Sequence, residues 1–318
     1  MAKQVVRCTY GVDVAKAWLD IYSGEQGTVE RIDNTAGAID AWLRSLGGEA
    51  RIAVEATNRF HEAVAGQALA SGHQVYVVDA LKLCRYRDAV GRRAKTDRHD
   101  AVLLARYVEQ EHTELRLWQA PDPQQVRLWK LLKRRATLVQ TTVRLRQSLS
   151  DLGGLDAAAM ELIRHCRQLV QQVERALQQQ ARQLGWGDDL RRTQAVPGVG
   201  PLTALALVIT FRRYRFRSAD AFVAFMGLDV RVRDSGTFRG RRKLTKKGDP
   251  ELRRLLYNAA MAACRQPYWK TYYRSLRGRG FSGTAALVAL SRKLARVCYA
   301  LLSKQTGFNP EHRACTAT

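Results

Sequence analysis

Residues 51–80 read "RIAVEATNRFHEAVAGQALASGHQVYVVDA". "RIAVEAT" and "HQVYVVDA" are short β-rich runs, and "HEAVAGQALASG" between them has the spacing of a helix closed by glycine. Working outward, "VVRCTYGVDV" and "AWLDIYSG" are two further β-rich runs, and "TVERIDN" follows a turn at Gly24–Gly27. Together these three predict a meander. An amphipathic helix through "AIDAWLRSLGG", closed by Gly47-Gly48, joins the meander to residues 51–80, and a helix through "TDRHDAVLLARYVEQ" follows them.

Three strands, then helix, strand, helix, strand, helix is the order of a ribonuclease-H-like fold. Pro121 and Pro123 mark a boundary, after which the chain turns helical. From Gln124 to Ser150 there is no acid, while Arg127, Lys130, Lys133, Arg134, Arg135, Arg144 and Arg146 supply seven positive charges. Beyond a break at Gly153-Gly154, Leu162, Cys166, Leu169, Val173 and Ala176 recur at spacings of 4, 3, 4 and 3. That seam suits an antiparallel hairpin or a subunit contact. "AVPGVGPLTALALVIT" has the turn-rich shape of a helix-hairpin-helix, and equally that of an ordinary interhelical turn. Asp249 and Pro250 read as N-cap and first residue of a later helix.

The chain has 318 residues, with 53 Lys+Arg against 29 Asp+Glu, a formal charge of +24. Self-repulsion on that scale points to a polyanionic partner, first of all nucleic acid. An anionic membrane is the rival, but the cations are spread over several segments and no 18-residue apolar run exists. The start "MAKQVVRCTYGVD" lacks the apolar core of a signal peptide, so a cytoplasmic location is expected. Cys8, Cys84, Cys166, Cys264, Cys298 and Cys315 form no CxxC pair and read as reduced thiols, mostly packed.

Asp13 ends the first strand and Glu55 ends the strand "RIAVEAT". Asp97 and Asp100, three apart at a helix start that Thr96 would cap, project from nearly one face. If the two strands are neighbours, four carboxylates converge. Such a cluster needs a counter-ion, and oxygen-only donors suit Mg²⁺ or Mn²⁺. The bland alternative makes Asp97 a helix N-terminal acid and Asp100 a surface partner of Arg98.

Between Arg231 and Lys247 lie eight cations, Arg231, Arg233, Arg239, Arg241, Arg242, Lys243, Lys246 and Lys247, around the single acid Asp234 and the pair Ser235-Gly236. Ser-Gly is a common turn pair. A serine ringed by cations is also placed to attack a phosphate.

"GVDVAK", "VEAT", "KTDRHDAVLLARY", "AVPGVGPLTA", "FVAFMGL", "DSGTFRGRRKLTKKGDPELRRLLYNAA" and "RKLARVCYALL" occur in an order that resembles the DEDD-type insertion-sequence transposases, a family that includes pilin-gene invertases. The likeness runs from about residue 9 to about 303. It implies an α/β plus α architecture: a RuvC-like domain (1–118), a basic helical or coiled-coil linker (119–190) and a mainly helical transposase domain (191–318). It implies Mg²⁺ on Asp13, Glu55, Asp97 and Asp100, a nucleophilic Ser235, and a tetramer in which acids and serine come from different protomers. Donor and target double-stranded DNA and a noncoding bridge RNA are the implied partners. Nucleic-acid contacts are expected from Arg127, Lys130, Lys133, Arg134, Arg135, Arg239, Arg241, Arg242, Lys243, Lys246 and Lys247. Asn58 and Asp229-Val230 depart from the usual family residues. Two rival readings stay open: a RuvC-like nuclease using water, with Ser235 structural, and a non-catalytic binding protein; an invertase without RNA guide is a variant of the first reading.

Overall fold

The computed structural model describes residues 8–56, 59–91, 97–150, 156–231, 234–240 and 242–311, without the side chains of Asp97, Asp156, Phe238 and Arg239. Thr96, Arg241, Asn58, Cys315 and the Gly153-Gly154 break lie outside the described residues. The chain divides into two units, Met1–Ala120 and Pro121–Thr318.

In the first unit β1 (Cys8–Val14), β2 (Trp18–Ser23) and β3 (Val29–Asp33) form the expected meander, followed by α1 (Ala36–Ser45), β4 (Ala50–Glu55), α2 (His61–Ala70) and β5 (Gln74–Val78). Thr35 caps α1 with its hydroxyl. The sheet order is β3-β2-β1-β4-β5, antiparallel across the meander and parallel across β1, β4 and β5. Side chains alternate between its faces. Val12, Ile52, Val54 and Val75 bury one face with Trp42 of α1 and Val64 of α2. Ala53, Tyr76 and Val78 bury the other against Leu103, Leu104 and Val108 of α4 (Asp97–Glu111) and Leu83 of α3 (Ala80–Ala89).

Helix α3 is an addition to the sequence reading. Leu83 is its one buried residue, so no apolar period announces it; its signal is the Asp79 carboxylate, which accepts from the N–H groups of Leu81 and Lys82.

The second unit opens with α5 (Pro123–Ser148) and α6 (Asp156–Gln183). The Gln180 amide near the end of α6 donates to the Gln124 carbonyl at the start of α5 at 3.5 Å, so the two run antiparallel. The seam keeps the expected Cys166 and Val173, both half-buried, and is shifted by one residue at its other positions. Ile163, Leu177 and Ala181 are buried, whereas Leu162 and Leu169 are 46% and 45% exposed. Then follow α7 (Gly187–Gln194), α8 (Pro201–Arg213), α9 (Ala219–Phe225), four two-residue strands β6 (Val230–Arg231), β7 (Asp234–Ser235), β8 (Phe238–Arg239) and β9 (Lys243–Leu244), and α10 (Pro250–Ala263), α11 (Pro267–Gly278) and α12 (Gly283–Lys304). Leu205 and Leu207 of α8, Phe222, Leu256, Trp269 and Leu294 lie in one core. Asp249 caps α10 as expected, accepting from the N–H of Glu251 at 2.8 Å. In the PGVG turn a Cβ on Gly198 would lie 2.5 Å from that of Ala263, and the Trp269 indole donates to the Pro197 carbonyl. The glycine there serves packing against α10.

No described helix is long and apolar enough to cross a membrane. Among the described cysteines only Cys298 is fully buried, and burial pushes its thiol up to about 12; Cys84 is exposed and Cys8, Cys166 and Cys264 are half-buried.

Candidate functional site

The acid-bearing face follows from strand register. Val12 pairs with Val54 across the parallel β1/β4 ladder, so Asp13 and Glu55, one residue further on, stand side by side at the strand ends. Both are half-buried. Gly11 and Asp13 share a face, as do Ala53 and Glu55, and Ala53 places that face under α4. A Cβ on Gly11 would sit 1.9 Å from the Ala101 carbonyl oxygen, so the backbone of α4 rests directly on β1. Asp100, adjacent to Ala101 and 5% exposed, is thereby held over the strand that carries Asp13. Three of the four expected acids thus belong to one face of one unit; the side chain of Asp97 lies outside the described residues.

Two arginines that the sequence reading did not single out share this face's charge. Asp20, directly opposite Asp13 on β2 and 2% exposed, receives Arg31 in a bidentate pair at 2.9 and 2.7 Å. Asp100 is met at 2.5 Å through Oδ1 by Arg87 of α3, itself well buried, in place of the surface pairing with Arg98. Each pair offsets the charge of one carboxylate on this face. Among the described residues no group of three His, Cys, Asp or Glu side chains is gathered closely enough to hold a metal. The donor types at this face, all carboxylate oxygens, suit a hard divalent cation.

In the second unit, two nested ladders build the serine's surroundings. The outer one pairs Val230 with Leu244 and Arg231 with Lys243; the inner one pairs Asp234 with Arg239 and Ser235 with Phe238. Gly236 and Thr237 form the tip, where Gly236 has φ +54°, the left-handed region glycine tolerates. Ser235 is exposed at the head of this hairpin. Asp234 accepts two hydrogen bonds from Arg242, both at 2.8 Å, and one from the Gly240 N–H at 3.3 Å. The Arg242 bonds hold its carboxyl below the usual carboxylate range. At the root, the Arg253 guanidinium donates to the carbonyls of Met226 and Gly248, and Thr245 donates to Asp229. Lys243, Lys246 and Lys247 are exposed; Lys246 has φ +55°.

On α5 the expected nucleic-acid contacts divide. Arg127, Lys130 and Arg134 are exposed. Lys133 pairs with Asp249 at 2.7 Å, and Arg135 is turned inward to Glu174 and Glu251. Trp129 packs edge-on against Tyr214 with the Arg213 guanidinium over its ring.

A family model described as "Transposase IS116/IS110/IS902 family" matches residues 190–274, and a DEDD-type IS110 model described as "Transposase" matches residues 10–152. The first covers the serine hairpin and the second all four acids. A pilin gene-inverting protein of Moraxella lacunata is 26% identical over 94% of this chain and 97% of its own length. A probable family 20 transposase of Pseudomonas aeruginosa is 33% identical over 49% of each chain. The transposase for insertion sequence element IS1111A of Coxiella burnetii is 35% identical over 37% of this chain and 34% of its own.

Proposed function

Because the chain belongs to the IS110/IS116 family of transposases, we propose that it cuts and rejoins DNA by attack of Ser235 on a backbone phosphate. The observation that carries this reading is the exposed hydroxyl of Ser235 on a glycine-tipped hairpin within a strongly cationic segment.

In the proposed step the Ser235 Oγ–P bond forms as the P–O3′ bond breaks. The hydroxyl proton passes to solvent or a base, and the leaving 3′ oxygen takes one up. The products are a 5′-phosphoserine ester and a free 3′-OH. Attack by the 3′-OH of a second strand reverses the step and frees the serine, so the ester conserves the bond energy and no nucleotide hydrolysis is required. Cations of the 231–247 segment neutralise the phosphate as charge builds on it. Asp13, Glu55, Asp97 and Asp100 are the proposed holders of Mg²⁺, or Mn²⁺, which when bound would supply neutralisation of the leaving oxygen. Residues 1–118 carry the acids, 119–190 form the helical linker and 191–318 carry the serine. Acids and serine come from different protomers of a tetramer. Arg127, Lys130 and Arg134 grip nucleic-acid backbone, and a noncoding bridge RNA pairs with donor and target DNA.

Denaturing gels test the reading. A covalent protein–DNA adduct that vanishes in Ser235→Ala is expected. Free nicked product persisting in Ser235→Ala would replace the serine by water as nucleophile, and binding without cleavage in the native chain would remove the catalytic reading altogether. Omitting the RNA, with DNA and protein kept, tests the guide separately.

A further inference from the structure

The inner ladder at Ser235 has two residue pairs, Asp234 with Arg239 and Ser235 with Phe238. A ladder that short does not hold its own shape in water. The outer ladder of Val230, Arg231, Lys243 and Leu244 is equally short. Among the described residues, the side-chain contact that joins them is the ion pair closing Asp234 onto Arg242, eight residues away, with both carboxylate oxygens engaged and Gly240 donating as well. Most exposed ion pairs contribute little, but a two-pronged guanidinium–carboxylate contact fixes orientation as well as distance. Adjacent strand residues face opposite ways, so the Asp234 carboxylate and the Ser235 hydroxyl stand on opposite sides of β7.

We propose that Asp234 and Arg242 are positioning residues: their two-pronged pair locks the hairpin that presents Ser235, and Arg242 is committed to that lock instead of to a DNA phosphate. The inference rests on Ser235 as nucleophile. It assigns Arg242, first expected among the nucleic-acid contacts, a different task. It also removes Asp234 from consideration as the base for the neighbouring hydroxyl. The sign of the Asp234 shift agrees: a lowered carboxyl pKa keeps the lock present above the ordinary value of 3.8 and loses it only as pH falls below that range.

The test uses the full chain with its DNA and, where needed, its RNA. Adduct formation is followed in a single turnover at saturating DNA, beside DNA affinity measured as a function of salt. Asp234→Asn and Arg242→Gln are each expected to slow adduct formation about tenfold or more, since small misplacements of a nucleophile are costly. DNA affinity and its salt slope should stay as in the native chain. The charge swap Asp234→Arg with Arg242→Asp should restore much of the rate. Native rates in Asp234→Asn, or no recovery in the swap, would overturn the proposal. So would a salt slope reduced by about one in Arg242→Gln, the mark of a lost phosphate contact. An altered acid limb of the pH–rate profile in Asp234→Asn would make Asp234 the base instead. Absence of any native adduct, or its survival in Ser235→Ala, brings down the nucleophile reading itself; the other negative outcomes leave that reading standing.

Discussion

Gly11 carries no functional group, yet the acid-bearing face depends on it. With a methyl group 1.9 Å from the Ala101 carbonyl oxygen and 2.7 Å from the Ala105 nitrogen, Gly11→Ala must push α4 off β1. Backbone atoms, unlike a flexible side chain, cannot step aside. We expect a loss of about 3 kcal/mol in chemical denaturation, with the Asp100 helix displaced from Asp13. His73 makes a second residue-scale prediction. It is 7% exposed, and its Nδ1 accepts from the Ala50 N–H at 3.3 Å. Burial lowers its pKa, against a smaller opposing pull from Glu49. The unfolded chain then takes the proton first, at about pH 6.5. Stability of the first unit is full above that value and declines as pH falls toward the folded pKa. Melting temperature against pH should show this decline in the native chain and a flatter curve in His73→Gln; identical curves would dissociate His73 from it.

Helix α6 shows at the scale of an element what a one-residue shift in reading costs. The apolar run has two adjacent stripes, and spacing alone does not say which faces α5. Leu177 is fully buried and Leu162 and Leu169 are about half exposed. Leu177→Ala should cost about 2–5 kcal/mol. Leu162→Ala and Leu169→Ala should each stay within about 0.5 kcal/mol in dilute-solution urea melts; the reverse ranking would restore the first seam. The β-rich runs, the meander and the Asp249 cap were legible because their signals are local: period, turn residues and a carboxylate before proline. The placement of Asp13 beside Glu55 was legible too, since strand ends follow from strand order. Arg31 on Asp20 and Arg87 on Asp100 were not, because each joins elements that only the fold brings together. Nor were the nested ladders, whose two-residue strands are too short to show alternation.

For the whole molecule, a charge of +24 overstates the cations free to meet phosphates. Lys133, Arg135, Arg212, Arg242 and Arg254 each face an acid of their own unit. DNA affinity should still fall steeply with salt, by about 10³–10⁵ between about 50 and 200 mM if six to ten phosphates are contacted. Filter binding across that range checks it, and a flat curve would separate binding from charge. The root of the serine hairpin has a consequence of another kind. A Cβ on Gly248 would lie 2.3 Å from the Phe225 carbonyl oxygen, and one on Gly227 2.8 Å from the Lys246 backbone, so the two ends of the excursion leave and re-enter the helical body side by side. Leu228 lies in the helical core and Leu244 packs against it, so the stem of the hairpin is part of the scaffold, and a side chain added at either glycine would pry the whole excursion loose.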